Sequence, residues 1–226
     1  METKQHRGHG LEKKKILIVD DHPLLRKGLA TVINQSPDLV VEGEADTAAN
    51  ALEMIEKIQP DLVIVDISLP GVDGVELINK IKVRNGELPT LVVSMHDEAL
   101  FAERALRAGS RGYLMKQEAL ENVLVAIRRV LGGEIFLSNN MATKIIEKMV
   151  EVTPRKSASP LELLSNREFT VFQLIGQGFQ TRHIAEKLHI SAKTVESYRS
   201  HIKEKLKLAN AKELMKYAVL WVQNNA

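Results

Sequence analysis

Four apolar runs in the first half of the chain each stop on a residue able to do chemistry. KILIVDDHP stops on Asp20 and Asp21, LVIVDISLPGVDG on Asp66, TLVVS on Ser94 and GYLMK on Lys116. A run of about four apolar residues closing on one polar group reads as a buried parallel strand. In an open parallel sheet the ligand site lies beyond the carboxyl ends of the strands. Four such ends would gather three carboxylates, a hydroxyl and an amine in one crevice, a set suited to holding a divalent cation and a phosphoryl group together. Asp66 alone reads equally well as a helix cap or turn former. The adjacent pair is different, because neighbouring carboxylates repel unless a cation sits between them, and Mg2+ takes one or two carboxylates plus water and phosphate oxygens. Lys116 offers a compact positive charge and Ser94 a hydroxyl donor. A carboxylate can act as nucleophile and form an aspartyl-phosphate, a transfer that needs mainly positioning and charge neutralisation. His22 and His96 flank the crevice and read as solvated loop histidines.

The elements that must position these groups alternate. Strands are expected at Ile16–Asp20, Val40–Glu44, Leu62–Asp66, Thr90–Ser94 and Gly112–Met115. Between and after them apolar residues recur at helical spacing, as in Leu25, Leu29, Val32 and Ile33, or Leu120, Val123, Leu124 and Ile127. Five strand–helix units imply an α/β domain, a five-stranded parallel sheet covered on both faces. Gly132 and Gly133 close it, a helix is expected near Asn140–Val150, and TPRKSASP has the composition of a linker. The remainder reads all-α. Ser165 to Glu168 form a capping box, with Leu164 and Phe169 as its hydrophobic staple. A helix then runs to Gly176 or Gly178, a short one covers Arg182–His189, a turn passes through Ile190 and Ser191, and a longer helix spans Lys193–Leu206. A last helix carries Leu214, Ala218, Trp221 and Val222 on one stripe. Four helices in about 60 residues, two of them joined by a tight turn, fit a helix-turn-helix module. The division expected is a tail at 1–14, the α/β domain at 15–133, a linker with a helix at 134–160 and the helical domain at 161–226.

Composition agrees with two domains. The chain has 226 residues, 44% of them apolar, and no cysteine, so disulfides and thiolate metal sites are excluded and a cytoplasmic location is expected. No run approaches 18 apolar residues, so no membrane segment is expected, and the basic start lacks a signal-peptide core. Residues 1–150 hold 19 Lys/Arg against 22 Asp/Glu, whereas 151–226 hold 12 against 7. An acidic front and a basic back call for different partners.

The acidic crevice residues, in this order, resemble the receiver domain of bacterial two-component response regulators, over Lys15 to about Gly133. Pro70, Gly71 and Gly74 match the family's loop after the phosphoacceptor. The resemblance implies a flavodoxin-like fold and phosphorylation of Asp66 by a sensor histidine kinase. It implies Mg2+ held by Asp21, Asp66 and the backbone carbonyl of Ser68, with Asp20 acting through water. It makes Ser94 and Lys116 the residues that sense the phosphoryl group and Tyr113 the aromatic switch. Gln117 departs from the family, where proline commonly follows the lysine. The segment from Leu164 to Trp221 resembles the helix-turn-helix of the NarL/FixJ class, also called LuxR-type, through its Leu-Ser-x-Arg-Glu opening, Gly178, Ile184-Ala185, Leu188, Ser191, Thr194-Val195 and Lys205-Leu206. That resemblance places Glu196, Ser197 and Ser200 at base-reading positions of double-stranded DNA and Lys193, Thr194, Arg199 and Lys203 against phosphates. Glu196 stands where the family commonly has lysine. It either accepts from a cytosine amino group or pairs within its helix with Arg199. Where the family often has a Ser-x-x-Glu box before the short helix, this chain has Gln180 and His183, so Thr181 is expected to cap instead.

The expectation is a phosphorylation-switched regulator of transcription, not an enzyme, that pairs as a homodimer on DNA through the last-helix stripe. Rival readings are a regulator that works without phosphorylation, and a phosphatase or mutase using an aspartyl-phosphate. Enzymes of the latter kind usually carry Asp-x-Asp on one strand, whereas Asp66 is followed by Ile67 and Ser68.

Overall fold

The computed structural model describes residues 13–96, 98–150 and 160–224; most of the expected tail and residues 151–159 of the expected linker lie outside them. The chain divides into two units, Met1–Val150 and Glu151–Ala226.

In the first unit five parallel strands are ordered β2-β1-β3-β4-β5. They are β1 (Lys14–Val19), β2 (Leu39–Ala45), β3 (Leu62–Val65), β4 (Thr90–Ser94) and β5 (Gly112–Met115). The interleaved helices are α1 (Pro23–Asn34), α2 (Ala48–Ile58), α3 (Gly74–Arg84), α4 (Glu98–Ala108) and α5 (Ala119–Leu131). Apolar runs rather than alternating patterns form these strands because both faces are covered. Ile16, Ile18, Ile64 and Val93 point to one face, where Leu29 and Ile33 of α1 and Val123 and Ile127 of α5 complete a continuous core. The carboxyl ends of all five strands lie on one edge. Those of β1 and β3 are immediate neighbours, so Asp20 and Asp66 meet there.

The stretch after Gly133 is part of this unit. Phe136 runs beside β5 in parallel, its carbonyl accepting from Tyr113 N–H at 2.8 Å and its N–H donating to the Arg111 carbonyl at 2.9 Å. Ser138 N–H donates to Glu98 Oε1 of α4 at 2.9 Å, and α6 (Asn139–Val150) packs on α4 with Met141 buried.

The second unit contains α7 (Asn166–Gly176), α8 (Thr181–Lys187), α9 (Ala192–Lys205) and α10 (Ala211–Asn224). The capping box forms as its sequence predicts: Glu168 Oε2 accepts from Ser165 N–H at 2.7 Å while Ser165 Oγ accepts from Glu168 N–H at 3.3 Å. Leu164 and Phe169 on either side are both buried. Ser191 caps α9 through Thr194 N–H at 3.0 Å. Thr181 does not cap α8. Gln180 holds the cap position without a side-chain bond, because the Thr181 hydroxyl is spent on Glu196 at 2.7 Å.

The stripe on α10 is divided between the domain's core and its surface. Leu214 and Ala218 are wholly buried, and Trp221 packs edge-on against Phe169 and Phe172 with centroids 5.3 and 5.9 Å apart. A Cβ on Gly176 would stand 2.4 Å from the Ala218 carbonyl oxygen and 2.6 Å from Val222 Cγ2. Only glycine permits that approach, so α10 lies backbone to backbone on α7. Leu214 and Ala218 are spent on the domain's own core, while Trp221 and Val222 stay partly exposed.

Glu168 also ties α9 to α7. It is 4% exposed, and Lys205 Nζ reaches its Oε2 at 2.6 Å. Burial alone would push the carboxyl up, but hydrogen bonds from Lys205 and the Ser165 N–H hold it below the usual glutamate range. A lowered carboxyl pKa contributes stability that is complete above the unfolded value, about 4.3, and fades as pH falls through the folded one. Trp221 is the only tryptophan, so its fluorescence reports this domain. Glu168→Gln should lower its urea stability by about 1–2 kcal/mol at neutral pH, and the gap from the wild type should narrow as pH drops below that of an ordinary glutamate.

Candidate functional site

At the sheet's carboxyl edge Asp20 directly follows β1 and Asp66 follows β3, β4 ends on Ser94 and β5 on Met115, with Lys116 opening a short 3-10 turn. Asp20, Asp66, Ser94 and Lys116 are all buried. Lys116 Nζ lies 2.7 Å from Asp20 Oδ2 and 2.8 Å from Asp66 Oδ2. Burial alone would push the ammonium down, but Asp66 and Asp20 outweigh it and hold its pKa above the usual lysine value. Asp20 is fixed further: its Oδ1 accepts from His22 N–H at 2.8 Å and its carbonyl from Arg26 Nη1 at 2.6 Å. Asp66 is fixed by its backbone, whose N–H donates to the Val19 carbonyl at 2.9 Å. A Cβ on Gly74 would stand 1.9 Å from the Asp66 carbonyl oxygen, so only glycine lets α3 begin against the end of β3. Asp73 caps that helix, accepting from Glu76 N–H at 3.0 Å.

Two carboxylate oxygens in the crevice are buried without a hydrogen-bond partner among the described residues, Asp66 Oδ1 and Asp21 Oδ1. A charged acceptor left so costs more than the roughly 1–3 kcal/mol of a neutral one. Ligand atoms of Asp20, Asp21, His22 and Asp66 all lie within 4.8 Å of one another. Orphaned hard oxygens converging in this way are what a divalent cation requires, and the residues fit one.

A second group of contacts joins Ser94, Tyr113 and Ser68 through His96. Ser94 Oγ accepts from His96 N–H at 3.2 Å. The Tyr113 ring is buried and its hydroxyl donates to the His96 carbonyl at 2.8 Å. His96 Nε2 pairs with Ser68 Oγ at 2.9 Å, and its ring stacks on Phe101 at 4.5 Å. Neither histidine is a free loop side chain: His96 bridges the loops after β3 and β4, and His22 Nδ1 points at Asp20 and Asp21. For His22 the signal was its place between the acid pair and Pro23, the first residue of α1.

On α9 the side chains of Lys193, Ser197 and Ser200 are exposed, while Thr194 and Lys203 are partly buried. Arg199 departs from the sequence reading. Its side chain is 15% exposed and turns inward, with Nη1 3.4 Å from the Thr181 hydroxyl and Nε 3.9 Å from Glu196 Oε2. Glu196, Arg199 and Thr181 thus brace α9 against α8, the intrahelical pairing expected as one alternative for Glu196 with Thr181 added.

A sheet of this order with such a crevice, joined to a helix-turn-helix domain, defines a signal-receiving regulator that binds DNA. The response regulator receiver domain matches residues 16–128, and the luxR family of bacterial regulatory proteins matches residues 162–218. The oxygen regulatory protein NreC of Staphylococcus carnosus is 35% identical over 212 residues, covering 91% of this chain and 96% of NreC. A LuxR-family two-component response regulator from Aurantimonas sp. SI85-9A1 is 34% identical with a TM-score of 0.57, covering 62% of this chain and all of that one. RcsB of Salmonella typhimurium superposes with a TM-score of 0.60 at 25% identity, covering 92% of this chain and 98% of RcsB. The chain belongs to the two-component response regulators that carry a LuxR-type DNA-binding domain.

Lys116→Met should leave two buried carboxylates facing each other and destabilise the receiver by about 3–5 kcal/mol. Circular dichroism in urea would measure this, with Trp221 fluorescence following the other domain separately. In the wild type the lysine's contribution is complete below about pH 10.4 and is lost only as pH rises through the raised value.

Proposed function

We propose that Asp66 accepts a phosphoryl group from a sensor histidine kinase and that this modification switches transcriptional control through α9. The observation that carries the reading is the state of Asp66: Oδ2 is held by Lys116 while Oδ1 has no hydrogen-bond partner among the described residues. Its lone pairs are free for attack. The Oδ1–P bond forms as the P–N bond of a phosphohistidine breaks, and the imidazole leaves as the neutral base once protonated. Asp21, Asp66 and the Ser68 carbonyl would hold Mg2+, with Asp20 behind a water. When bound, the ion neutralises charge gathering on the phosphoryl oxygens. Lys116 exchanges part of its contact with Asp66 for a phosphoryl oxygen. The Ser94 hydroxyl, an acceptor from His96 N–H, keeps its own proton to donate to another. Movement of Ser94 is passed to Tyr113 through the His96 peptide that both residues bond. A shift of the active form from 1:99 to 99:1 requires about 5.5 kcal/mol of preference for that state.

The protein acts as a regulator in the cytoplasm, not as an enzyme. Ser68, two residues after Asp66, has its hydroxyl on His96, so no second acid stands there for a phosphatase. No described helix is long and apolar enough to cross a membrane. Lys193, with Thr194 and Lys203, supplies the phosphate contacts, and Ser197 and Ser200 face the bases. A structure of RcsB has dimers bound to DNA, and the same pairing here would use what α10 leaves partly exposed, Trp221 and Val222.

Intact-mass measurement after acetyl phosphate and Mg2+ should show one added phosphoryl group on the wild type and none on Asp66→Asn; a full adduct on the variant would refute the assignment. On DNA, Lys193→Ala should reduce the salt slope of log affinity by about 0.9 in magnitude. Arg199→Ala should leave that slope unchanged and instead lower the urea midpoint read by Trp221, since its guanidinium is engaged with Thr181 on α8.

A further inference from the structure

One nitrogen in the crevice is hydrogen-bonded to Asp20 Oδ1 yet stands closer still to a second carboxylate, with which it makes no such bond. His22 Nδ1 stands 2.7 Å from Asp21 Oδ1, 3.1 Å from Asp20 Oδ1 and 4.0 Å from Asp66 Oδ2. It also lies 3.5 Å from Lys116 Nζ. Toward the carboxylates the nitrogen would have to donate, and toward the ammonium it would have to accept. Despite the 2.7 Å separation, Asp21 Oδ1 makes no hydrogen bond and is buried. Close approach of two donor atoms without a hydrogen bond is what adjacent ligands of one ion show: with bonds of about 2.0–2.2 Å they stand roughly 3 Å apart. Asp66, 1% exposed, belongs to the same cluster, and its other oxygen, Oδ1, is buried without a hydrogen-bond partner among the described residues. The backbone sets the ring there. His22 precedes Pro23 at the start of α1 in an extended conformation, and its N–H is anchored on Asp20 Oδ1.

We infer that His22 is a metal ligand of this site, contributing its Nδ1 lone pair beside Asp21 and Asp66, and that it shifts the preference of the crevice toward divalent first-row transition ions. This rests on the reading of the crevice as a cation site. Carboxylate, carbonyl and water oxygens suit Mg2+, whereas an imidazole nitrogen adds affinity for ions such as Co2+ and Zn2+. His22 is the imidazole of the cluster; His96 is turned away onto Ser68. The ring is half exposed, so its replacement removes a donor without opening the core.

The test uses the full chain, the wild type against His22→Phe, which keeps a flat ring. Co2+ affinity should fall roughly tenfold in the variant, while Mg2+ affinity should stay within about twofold. The same proteins loaded with Mn2+ give a second readout by electron spin-echo spectroscopy. The wild type should show a directly bound nitrogen whose signal changes on 15N-histidine labelling, and the variant should lack it. His6 and His9 are present in both proteins, so the difference isolates His22. Mg2+ binding with equal Co2+ affinity in the two proteins, or a bound ion with no nitrogen signal in the wild type, overturns the role of His22 alone. A nitrogen signal that persists in the variant does the same. Failure of the wild type to bind any divalent ion overturns the cation site as well.

Discussion

Two carboxylates from adjacent strands cannot share a buried edge without a cation, and the first domain is arranged around that demand. Lys116 meets it from β5, two strands away from β3 in the sheet. Strand spacing of about 4.8 Å makes this a reach of roughly 10 Å, over the end of β4 where Ser94 sits. A flexible four-carbon stem spans it and delivers one compact charge to both Asp20 and Asp66. Ser94 closes β4, the strand between Asp66 and Lys116 in the sheet. Whatever changes the charge on Asp66 must alter the Lys116 contact and is felt at β4 and β5 together. The coupling is a consequence of strand order.

Most of this edge was legible in the sequence because burial on both faces leaves an unbroken apolar signature that ends sharply at a polar residue. Ser94 and Met115 end their strands where the runs do, and β1 and β3 stop one residue before the acids. The capping box was legible for a related reason: Ser165 and Glu168 satisfy each other's backbone within four residues. What escaped were the contacts made across elements. Lys205 lies on the helix expected to face DNA, and only the packing of α9 on α7 reveals that Glu168 takes it. Arg199 looked like a phosphate ligand because its charge is visible in sequence and its direction is not. The close approach of α10 to α7 was hidden as well, because it depends on Gly176, a residue that reads as a helix terminator.

The helical domain balances polar and apolar bracing. Its aromatic cluster of Phe169, Phe172 and Trp221 holds α7 to α10, while α8 and α9 are linked through Thr181, Glu196 and Arg199 at their surface. Exposed polar links are worth little singly, but they fix an angle. That angle fixes which side chains α9 presents together, so Thr181 on α8 helps to set the face of α9.

The strand-like stretch at Phe136 bears on where the receiver ends. An uncovered strand edge is a template for pairing with another chain, and β5 would present one if the polypeptide stopped at Gly133. Residues 134–138 cover it, occupying the Tyr113 N–H and the Arg111 carbonyl. The segment leading toward the second unit is therefore also the guard of the sheet's last edge. A fragment cut at the twin glycines would bare a sticky strand, and self-association of such a fragment would report its severed margin rather than any native pairing.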